Sequence, residues 1–174
     1  MDSSYIPQIL NNFNAYDNDA NKYLGLTDEV TLPDLQAKTE TVAGAGMAGE
    51  ADLPVPGQFG ALEMTMNSKT HTPMYYAAMK SSSTAITLRG SINVVNPATG
   101  EMSNVGLQVE TRSYLKSANG GSMKVAGTMG NSITREVIYY KVTFDGETVI
   151  EIDKFNNVCI IDGVDQLASV NNQI

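Results

Sequence analysis

Three stretches of this sequence alternate between apolar and polar residues with a period of two. In "ALEMTMN" (61–67) every second residue is Leu or Met. The longer stretches "STAITLRGSINVV" (83–95) and "VGLQVETRSYL" (105–115) repeat the pattern on either side of the turn sequence "NPATG". Such alternation is typical of a strand with one buried face. The chain is therefore predicted to form antiparallel strands, and the two longer stretches are predicted to form a hairpin.

The rest of the chain extends this pattern. Strand-like segments occupy 22–27, 34–42 and 133–144, and two more, "ETVIEID" and "NNVCIIDG", follow the tight-turn dipeptide "DG". One helix is predicted in "THTPMYYAAMKS", because Thr72 can cap it and Pro73 suits its first turn. We predict a mainly β protein, an antiparallel β-sandwich or partial barrel with one short helix.

Three local predictions concern the ends and faces of these elements. Residues 1–20 are expected to form an N-terminal arm with a short helical turn after Pro7. The Gly-rich stretch 117–132 is expected to be a mobile loop. In the strand that begins at 133, one face is predicted to carry the apolar side chains of Ile138, Tyr140, Val142 and Phe144.

The stretch from Val30 to Met66 contains a middle that lacks periodic apolar residues. It is rich in Gly, Ala and Pro and lies between two strand-like segments. Long structureless loops in compact domains are usually functional or disordered. The segment from Gly44 to Gly60 is therefore predicted to be a loop that does not pack on its own domain.

Length and charge narrow the function classes. The 174 residues suit one domain, 1–174. Nineteen acidic residues against eleven basic ones give a net charge of −8, which is unlike the basic footprint of a nucleic-acid-binding protein. The sequence has no signal-peptide pattern and no apolar run near the roughly 20 residues that a membrane helix needs. We expect a protein made in a cytoplasm without a membrane anchor.

No set of residues in the sequence makes a convincing catalytic, metal or cofactor site. Cys159 lies in an apolar strand-like run and is predicted to be a buried hydrophobic residue. His71 lacks further His or Cys ligands at metal-binding spacing. The letters "GAGMAG" fit a dinucleotide fingerprint, but the following "EADLPVPG" cannot open the required helix.

Other hypotheses remain open at this level. Glu151 and Asp153 share one strand face and could serve a hydrolase, although a solvated strand face opposite Ile150 and Ile152 is much the simpler explanation. A monomeric β-sandwich that binds a ligand or carbohydrate would expose aromatic platforms, and the chain has no Trp. Arg112 and Arg135 are interpreted as surface or interface residues. The nine Met residues fit either adaptable contact surfaces or ordinary core filling.

Two segments of the sequence resemble a known family. "VTLPDLQAKTETVAGAGMAGEADLPV" and the C-terminal "YYKVTFDGETVIEIDKFNNVCIIDGVDQLASVNNQI" resemble parts of the major tail tube proteins of contractile-tailed bacteriophages or of related phage-tail-like bacteriocins. In the second segment the matching elements are the "DG" turn at 145–146, the strand 150–153 and the end motif 162–165. Together the two segments cover a little over a third of the chain.

The resemblance implies a structural, non-enzymatic role without a cofactor. In that family, subunits form six-membered rings whose strands close one β-barrel around a lumen, and the rings stack into a tube. The tube lies within a contractile sheath, is filled by a tape-measure protein during assembly, and meets baseplate and tail terminator proteins at its ends. DNA later passes through the tube without binding. The expected location is the virion tail, assembled in the host cytoplasm.

The resemblance also assigns roles to residues. The 44–60 loop would cross to a neighbouring subunit or ring, and the N-terminal arm 1–20 and C-terminal segment 162–174 would flank the domain. Six subunits of charge −8 give −48 per ring, so the lumen is expected to be net negative. A continuous basic stripe of Lys38, Arg89, Arg112 and Lys141 would contradict this. The candidate contact residues are Gly44, Ala45, Gly46, Met47, Gly49, Glu50, Asp52, Leu53, Pro54 and Pro56, and the lumen candidates are Glu63, Thr65, Thr87, Ser91, Gln108 and Glu110.

Overall fold

The computed structural model describes residues 5–19, 21–22 and 26–173. Strands dominate this part of the chain, and the helices are short. In chain order the elements are β1 (Ile6–Tyr16), β2 (Leu26–Thr31), β3 (Ala37–Val42), β4 (Ala51–Phe59), β5 (Glu63–Ser68), α1 (Pro73–Ala78), β6 (Thr84–Val95), β7 (Met102–Asn119), β8 (Asn131–Phe144), β9 (Glu147–Asp153), β10 (Val158–Ile161), β11 (Val164–Asp165) and α2 (Ala168–Asn171).

Nine of the strands form one antiparallel sheet that forks at β8. Its main order is β1-β6-β7-β8-β9-β10-β11. The first half of β8 pairs with β5, which pairs with β2, whereas residues 139–144 of β8 pair with β9. The remaining strands, β3 and β4, form a separate two-stranded sheet. The predicted mainly β antiparallel fold is confirmed, and no closed barrel exists within the described part of this single chain.

The core brings together buried residues of β1, of β5 to β10 and of helix α1. The alternating residues of β5 and β6 point into it, and Leu62, Met64 and Ile86 have no exposed surface. Helix α1 covers one side of the core through Tyr75 and Ala78. As predicted, the Thr72 side chain caps the helix by accepting a hydrogen bond from the Tyr75 N–H (3.2 Å).

The chain after Pro7 is a strand, so the predicted helical turn there is wrong. β1 runs along the open edge of β6, from Ile6 opposite Val95 to Tyr16 opposite Thr87. Pairing satisfies the backbone groups that face β6, and an edge strand tolerates a proline that has no N–H to donate. Residues 1–4 and 20 of the predicted arm lie outside the described residues, as do residues 23–25 of the strand predicted at 22–27.

A β-bulge changes the predicted buried face of β8. Arg112 of β7 lies opposite Tyr139, but the next residue, Ser113, lies opposite Val137. Ile138 therefore has no partner residue in β7, and the alternation of buried and outward residues shifts by one at this point. As a result Val137 is buried on the same side as Tyr140. Because a bulge depends on the partner strand, the period of β8 alone cannot reveal it.

The interpretation of Arg135 as a surface or interface residue is also wrong. Its side chain has no exposed surface and lies between β7 and the end of α1. The guanidinium Nε donates to Ser113 Oγ (2.9 Å), Nη2 donates to the Ser113 carbonyl (2.7 Å), and Nη1 donates to the Ala78 carbonyl. A charge this deep is tolerated because its donors meet fixed acceptors. Arg135 therefore joins the helix to the sheet.

Cys159 lies in β10 and is fully buried, as predicted. Burial, with a contribution from the nearby Asp165 carboxylate, raises the pKa of its thiol. This shift disfavours the reactive thiolate form.

Candidate assembly surfaces

The segment predicted as a 44–60 loop is largely a strand. β4 extends from Ala51 to Phe59 and pairs with β3 from Val42 opposite Ala51 to Ala37 opposite Phe59. The Thr41 hydroxyl also donates to Asp52 Oδ1 (2.6 Å) across the pair. We call residues 37–59 the hairpin arm. Its distal strands need no periodic apolar residues because they are exposed on both faces, whereas Val55, Gly57 and Phe59 near the base are half-buried.

All ten candidate contact residues lie in the exposed part of the hairpin arm. Gly44 to Glu50 belong to the connection between the strands, and the other four candidates, from Asp52 to Pro56, belong to β4. Every residue of β3 is exposed as well. The arm leaves the apolar side chains of Val42, Met47 and Leu53 between 39% and 52% exposed. An isolated two-stranded hairpin is marginally stable in water, so this arm is suited to pack against another surface.

The base of the arm is fixed to the body of the domain. The Gly60 N–H donates to the Gln36 carbonyl (3.0 Å), and Lys154 Nζ donates to the Gly60 carbonyl (2.9 Å). Gly57 has a φ of +67°, and a Cβ there would lie 2.6 Å from the side chain of Leu167. The arm is therefore rooted against the C-terminal segment, while its distal part has no such support.

The lumen candidates Thr87, Ser91, Gln108 and Glu110 share one side of the large sheet. This side is opposite the core, because the alternate residues Ile86, Leu88 and Val109 are buried. Antiparallel register aligns the outward residues of β6, β7, β8 and β9 in rows across the strands. We call this surface the polar sheet face; its residues are Thr87, Arg89, Ser91, Gln108, Glu110, Arg112, Tyr139, Lys141, Thr143, Glu151 and Asp153.

Charges on the polar sheet face alternate within the rows. In one row Lys141 lies between Glu110 and Glu151, with 3.9 Å between Lys141 Nζ and Glu151 Oε2. In the next row Arg112 Nη2 donates to Asp153 Oδ2 (2.8 Å). With Arg89 as the third cation, the face carries three positive and three negative groups. Its net charge is therefore zero rather than negative, although the whole chain carries −8.

Aromatic rings hold two of the cations against the sheet. The Arg89 guanidinium carbon lies 5.2 Å from the centre of the Tyr16 ring, and that of Arg112 lies 4.6 Å from the Tyr139 ring. The Tyr139 hydroxyl donates to Glu151 Oε1 (2.9 Å). Burial and this hydrogen bond raise the pKa of Tyr139 to about 12. The tyrosine consequently stays a neutral donor at physiological pH.

Asp153 serves as a structural acceptor on this face. Burial would raise the pKa of its carboxyl, but hydrogen bonds from the Asn156 side chain and from the Asn156 and Phe155 amides, with the Arg112 charge, lower it overall. Its oxygens therefore stay ionised while holding the turn after β9. Glu151 contacts Tyr139 and Lys141 instead, so the two carboxylates bond to separate neighbours. This arrangement gives the hydrolase hypothesis no support.

The other two lumen candidates lie on the outward side of β5. Glu63 forms an ion pair with Lys116 of β7, and Thr65 Oγ1 lies 3.0 Å from Thr134 Oγ1 of β8. Lys38 belongs to the hairpin arm, which is a separate sheet. It therefore does not join Arg89, Arg112 and Lys141 in the rows of the polar sheet face.

Sequence reasoning missed the acidic partners that accompany these cations. From the sequence, Asp153 and Glu151 are a carboxylate pair or a solvated strand face, yet each lies in register with a residue of β8. The "DG" turn at 145–146 alone could not have revealed this, because a β-bulge between Val142 and Thr143 shifts the register by one residue beyond the turn. Among the described residues, no group of three or more His, Cys, Asp or Glu is placed to hold a metal ion. None of the helices described is long and apolar enough to cross a membrane.

Comparisons with known proteins match nearly the whole chain. The family described as "Phage tail tube protein FII" matches residues 7–174. A "Tail tube protein" of Escherichia phage P2 is 29% identical over 147 residues, covering 83% of this chain and 84% of that protein.

Two solved structures of an extracellular contractile injection system are similar in fold. The "PVC sheath/tube terminator in extended state" has 13% identity and a TM-score of 0.53, covering 79% of this chain and 97% of its own. The "PVC sheath-tube complex in extended state" has 16% identity and a TM-score of 0.50, covering 79% of this chain and 91% of its own.

Proposed function

The chain belongs to the phage tail tube protein FII family, and we propose that it is the structural subunit of an inner tail tube, built from stacked six-membered rings. The family is one of structural proteins rather than enzymes. The observation that carries the proposal is the hairpin arm, which is anchored at its base and exposed along its length. Such an arm suits contact with a neighbouring ring or subunit, where its apolar side chains would be covered.

The open sheet supports ring closure. Within the described residues, β1 pairs only with β6, apart from one bridge between Tyr16 and Lys22. A long unpaired edge invites another strand. Pairing between subunits would satisfy this edge and close the strands of six copies into one barrel. Heterologous contacts that do not close within a ring would extend the assembly as a tube.

The remaining partners follow from the family and from the names of the relatives. A tube of this kind would lie within a sheath, which agrees with the sheath-tube assemblies named for the similar structures. Tape-measure, baseplate and tail terminator proteins would contact its lumen and ends. The particle is a phage tail or a related bacteriocin, and the subunit would be part of that tail.

We further propose that the polar sheet face lines the lumen. It carries four of the six lumen candidates, and its cations have acidic or aromatic neighbours. The expected net negative wall is thereby revised to a charge-balanced wall. Lys and Arg that are already compensated offer little to phosphate, because binding to nucleic acid depends on unpaired basic groups that release counterions. DNA would pass such a wall without being held.

Assembly of the purified protein tests the proposed function. We expect rings or tubes with a central hole in negative-stain images, and a concentration-dependent shift to large species in analytical ultracentrifugation. The physical reason is that the exposed arm and open sheet edge are satisfied only in an assembly. A strictly monomeric protein at every concentration and salt condition, even with tail components added, would contradict the proposal.

Removing the acidic neighbours of Lys141 should make the polar sheet face bind nucleic acid. The double variant Glu110→Gln, Glu151→Gln changes the net charge of the face from zero to two positive charges per subunit. We expect single-stranded DNA binding to rise on the order of tenfold at low salt and to disappear at high salt. Fluorescence anisotropy with labelled DNA measures this for dispersed subunits and for tubes.

The matched control is Asp19→Asn, Glu101→Gln, which removes the same charge from exposed positions outside the face. This control should bind DNA as weakly as the unmodified protein. Equal binding by the two double variants would show that net charge, and not the compensated rows, governs the contact.

A further inference from the structure

A mostly apolar groove opens on the core side of the sheet near the start of β7. Its volume is about 220 Å³, and a cavity of about 150 Å³ is already large enough to hold benzene. No Lys or Arg is among its lining residues. The apolar lining includes Leu10, Phe13, Val30, Leu32, Leu107 and Val109.

The residues at the bottom of the groove are buried, and those at its rim are exposed. Leu88 and Val109 beneath it are buried, whereas Leu10 and Leu32 at its edge are 48% and 39% exposed. Leu10 reaches over β6 because residue 90 is glycine; a Cβ there would lie 2.7 Å from Leu10 Cδ1. Apolar surface at a concave site of this kind gains free energy when an apolar group covers it.

An apolar projection lies in the loop between β7 and β8. Met123 and Val125 are 91% and 95% exposed, more than the other large hydrophobic residues among those described. The loop is held in shape at its base, where the Ser122 N–H donates to the Met129 carbonyl (2.8 Å) and the Met129 N–H donates to the Lys69 carbonyl (2.8 Å). We call residues 120–130 the apolar loop.

The tip of the apolar loop has an unusual backbone. The Gly127 N–H donates to the Lys124 carbonyl (3.2 Å) to form a tight turn, and Ala126 within it has a φ of +58°. A non-glycine residue in this region costs on the order of 1–2 kcal/mol. Such strained positions are often retained at functional sites. Val125 lies directly before this strained residue.

The groove and the apolar loop lie at opposite ends of the same strand. Leu107 and Val109 line the groove, and β7 ends at Asn119, directly before the loop. Ten to twelve residues at about 3.3 Å each separate them by roughly 33–40 Å. On its β2 side the groove lies closer to the loop, because Val30 pairs with Met66, three residues before Lys69, whose carbonyl accepts the Met129 N–H. Met123 and Val125 nevertheless stay exposed instead of filling the groove of their own chain, and they can enter that of a second copy placed head to tail.

The charges of the two ends are complementary. The loop end exposes Lys69 and Lys124, and no acidic residue occurs within 64–82 or 117–130. At the groove end, Glu29 lines the groove, Asp34 is exposed two residues beyond Leu32, and the Asp145 amide donates to the Gly106 carbonyl (2.9 Å) beside Leu107. Opposite charges of this kind steer the two ends together and oppose the reversed orientation.

We propose that the apolar loop of one subunit inserts Met123 and Val125 into the groove of the next subunit along the tube. This inference rests on the proposed function, since the occupant is a second copy of the chain. The contact is heterologous and leaves a free groove and a free loop at the two ends, so it repeats without closing. It would act in addition to the hairpin arm and would set the direction of stacking.

Disulfide cross-linking tests the contact. Native Cys159 is buried and does not interfere. In the double variant Val125→Cys, Leu32→Cys, mild oxidation of assembled protein should give a ladder of covalent multimers on a non-reducing gel. An equal mixture of the two single variants should give dimers and no ladder, because each pair of chains then shares one bond.

The outcomes separate this inference from the proposed function. Tubes that form without a Val125–Leu32 cross-link overturn the contact and leave the tube proposal intact. A ladder from Val42→Cys, Leu32→Cys in place of the first would show that the hairpin arm occupies the groove, which also overturns it. Absence of both tubes and cross-links overturns the contact and the proposed function together.

A second variant measures the contribution of the two side chains. Met123→Ser, Val125→Ser should raise the protein concentration needed for assembly by roughly tenfold or more, since two apolar side chains lose their burial. Its melting temperature should not change, because both side chains are exposed in the isolated chain. The matched control is Phe155→Ser, which removes a 70% exposed apolar side chain elsewhere. An unchanged assembly threshold in the double variant would contradict the proposal.

Discussion

Shortening the hairpin arm is expected to abolish tubes and leave the domain folded. The variant removes residues 41–52 and joins Glu40 to Leu53 through Asn-Gly, which suits a two-residue turn between paired strands. The removed residues are all exposed, so the free energy of unfolding should change by less than about 0.5 kcal/mol. Assembly should fall below detection in negative-stain images while the circular dichroism spectrum stays close to that of the intact protein.

A control of unchanged length distinguishes the effect of the arm's length from the effect of its connecting residues. Replacing residues 44–49 by Gly and Ser keeps both strands and should retain tubes, at a higher protein concentration because Met47 is lost. If the shortened variant is unfolded, the arm is part of the domain core. If the shortened variant still builds tubes, the arm is not the stacking element, and the central argument for the proposed function fails.

Replacing Arg135 with Met is expected to cause the largest loss of stability. Met has a similar length but no donors, so the carbonyls of Ser113 and Ala78 would lose buried hydrogen bonds from a charged group. Each such loss costs about 1–3 kcal/mol, and the two together should cost roughly 2–6 kcal/mol. Urea unfolding followed by circular dichroism measures the difference in the free energy of unfolding.

Two companion variants define the cause. Arg89→Met removes an exposed guanidinium from the polar sheet face and should cost less than about 1 kcal/mol. Arg135→Lys keeps the charge but loses the planar fork, so its cost should lie between the other two. A loss below 1 kcal/mol for Arg135→Met would show that the surrounding carbonyls find other donors.

The sequence alone predicts the strands that have one apolar and one polar face. The alternation around Met64 and Ile86 correctly indicates which side chains are buried, because that pattern is local. Arg135 occupies the same kind of position, between Ile133 and Val137, yet a charged residue is normally assigned to the surface. The face predicted from Ile138 and Tyr140 places Arg135 on the opposite side, and the bulge at Ile138 reverses the alternation before it, so both the predicted face and the general rule for charged residues were wrong here.

Other features depend on pairing and cannot be found in one segment. The bulge beside Ile138 exists only in register with β7, and the rows around Lys141 require the registers of three strands. β4 contains Pro54 and Pro56, which argue against a strand, but its partner β3 supplies the pairing. The assembly role of the hairpin arm came from the family resemblance, since no local pattern reports a surface that is covered only in an oligomer.

The contact between Gly57 and Leu167 has a mechanical consequence. Because glycine lets the Leu167 side chain sit against the root of the arm, a pull on the arm by a neighbouring subunit would be transmitted to the C-terminal segment. From there the force would pass into β10 and the core, because the Gln166 N–H donates to the Cys159 carbonyl (2.8 Å). In a tube under compression, force would pass between subunits through the contact of Gly57 with Leu167. The root of the arm would then have to stay rigid.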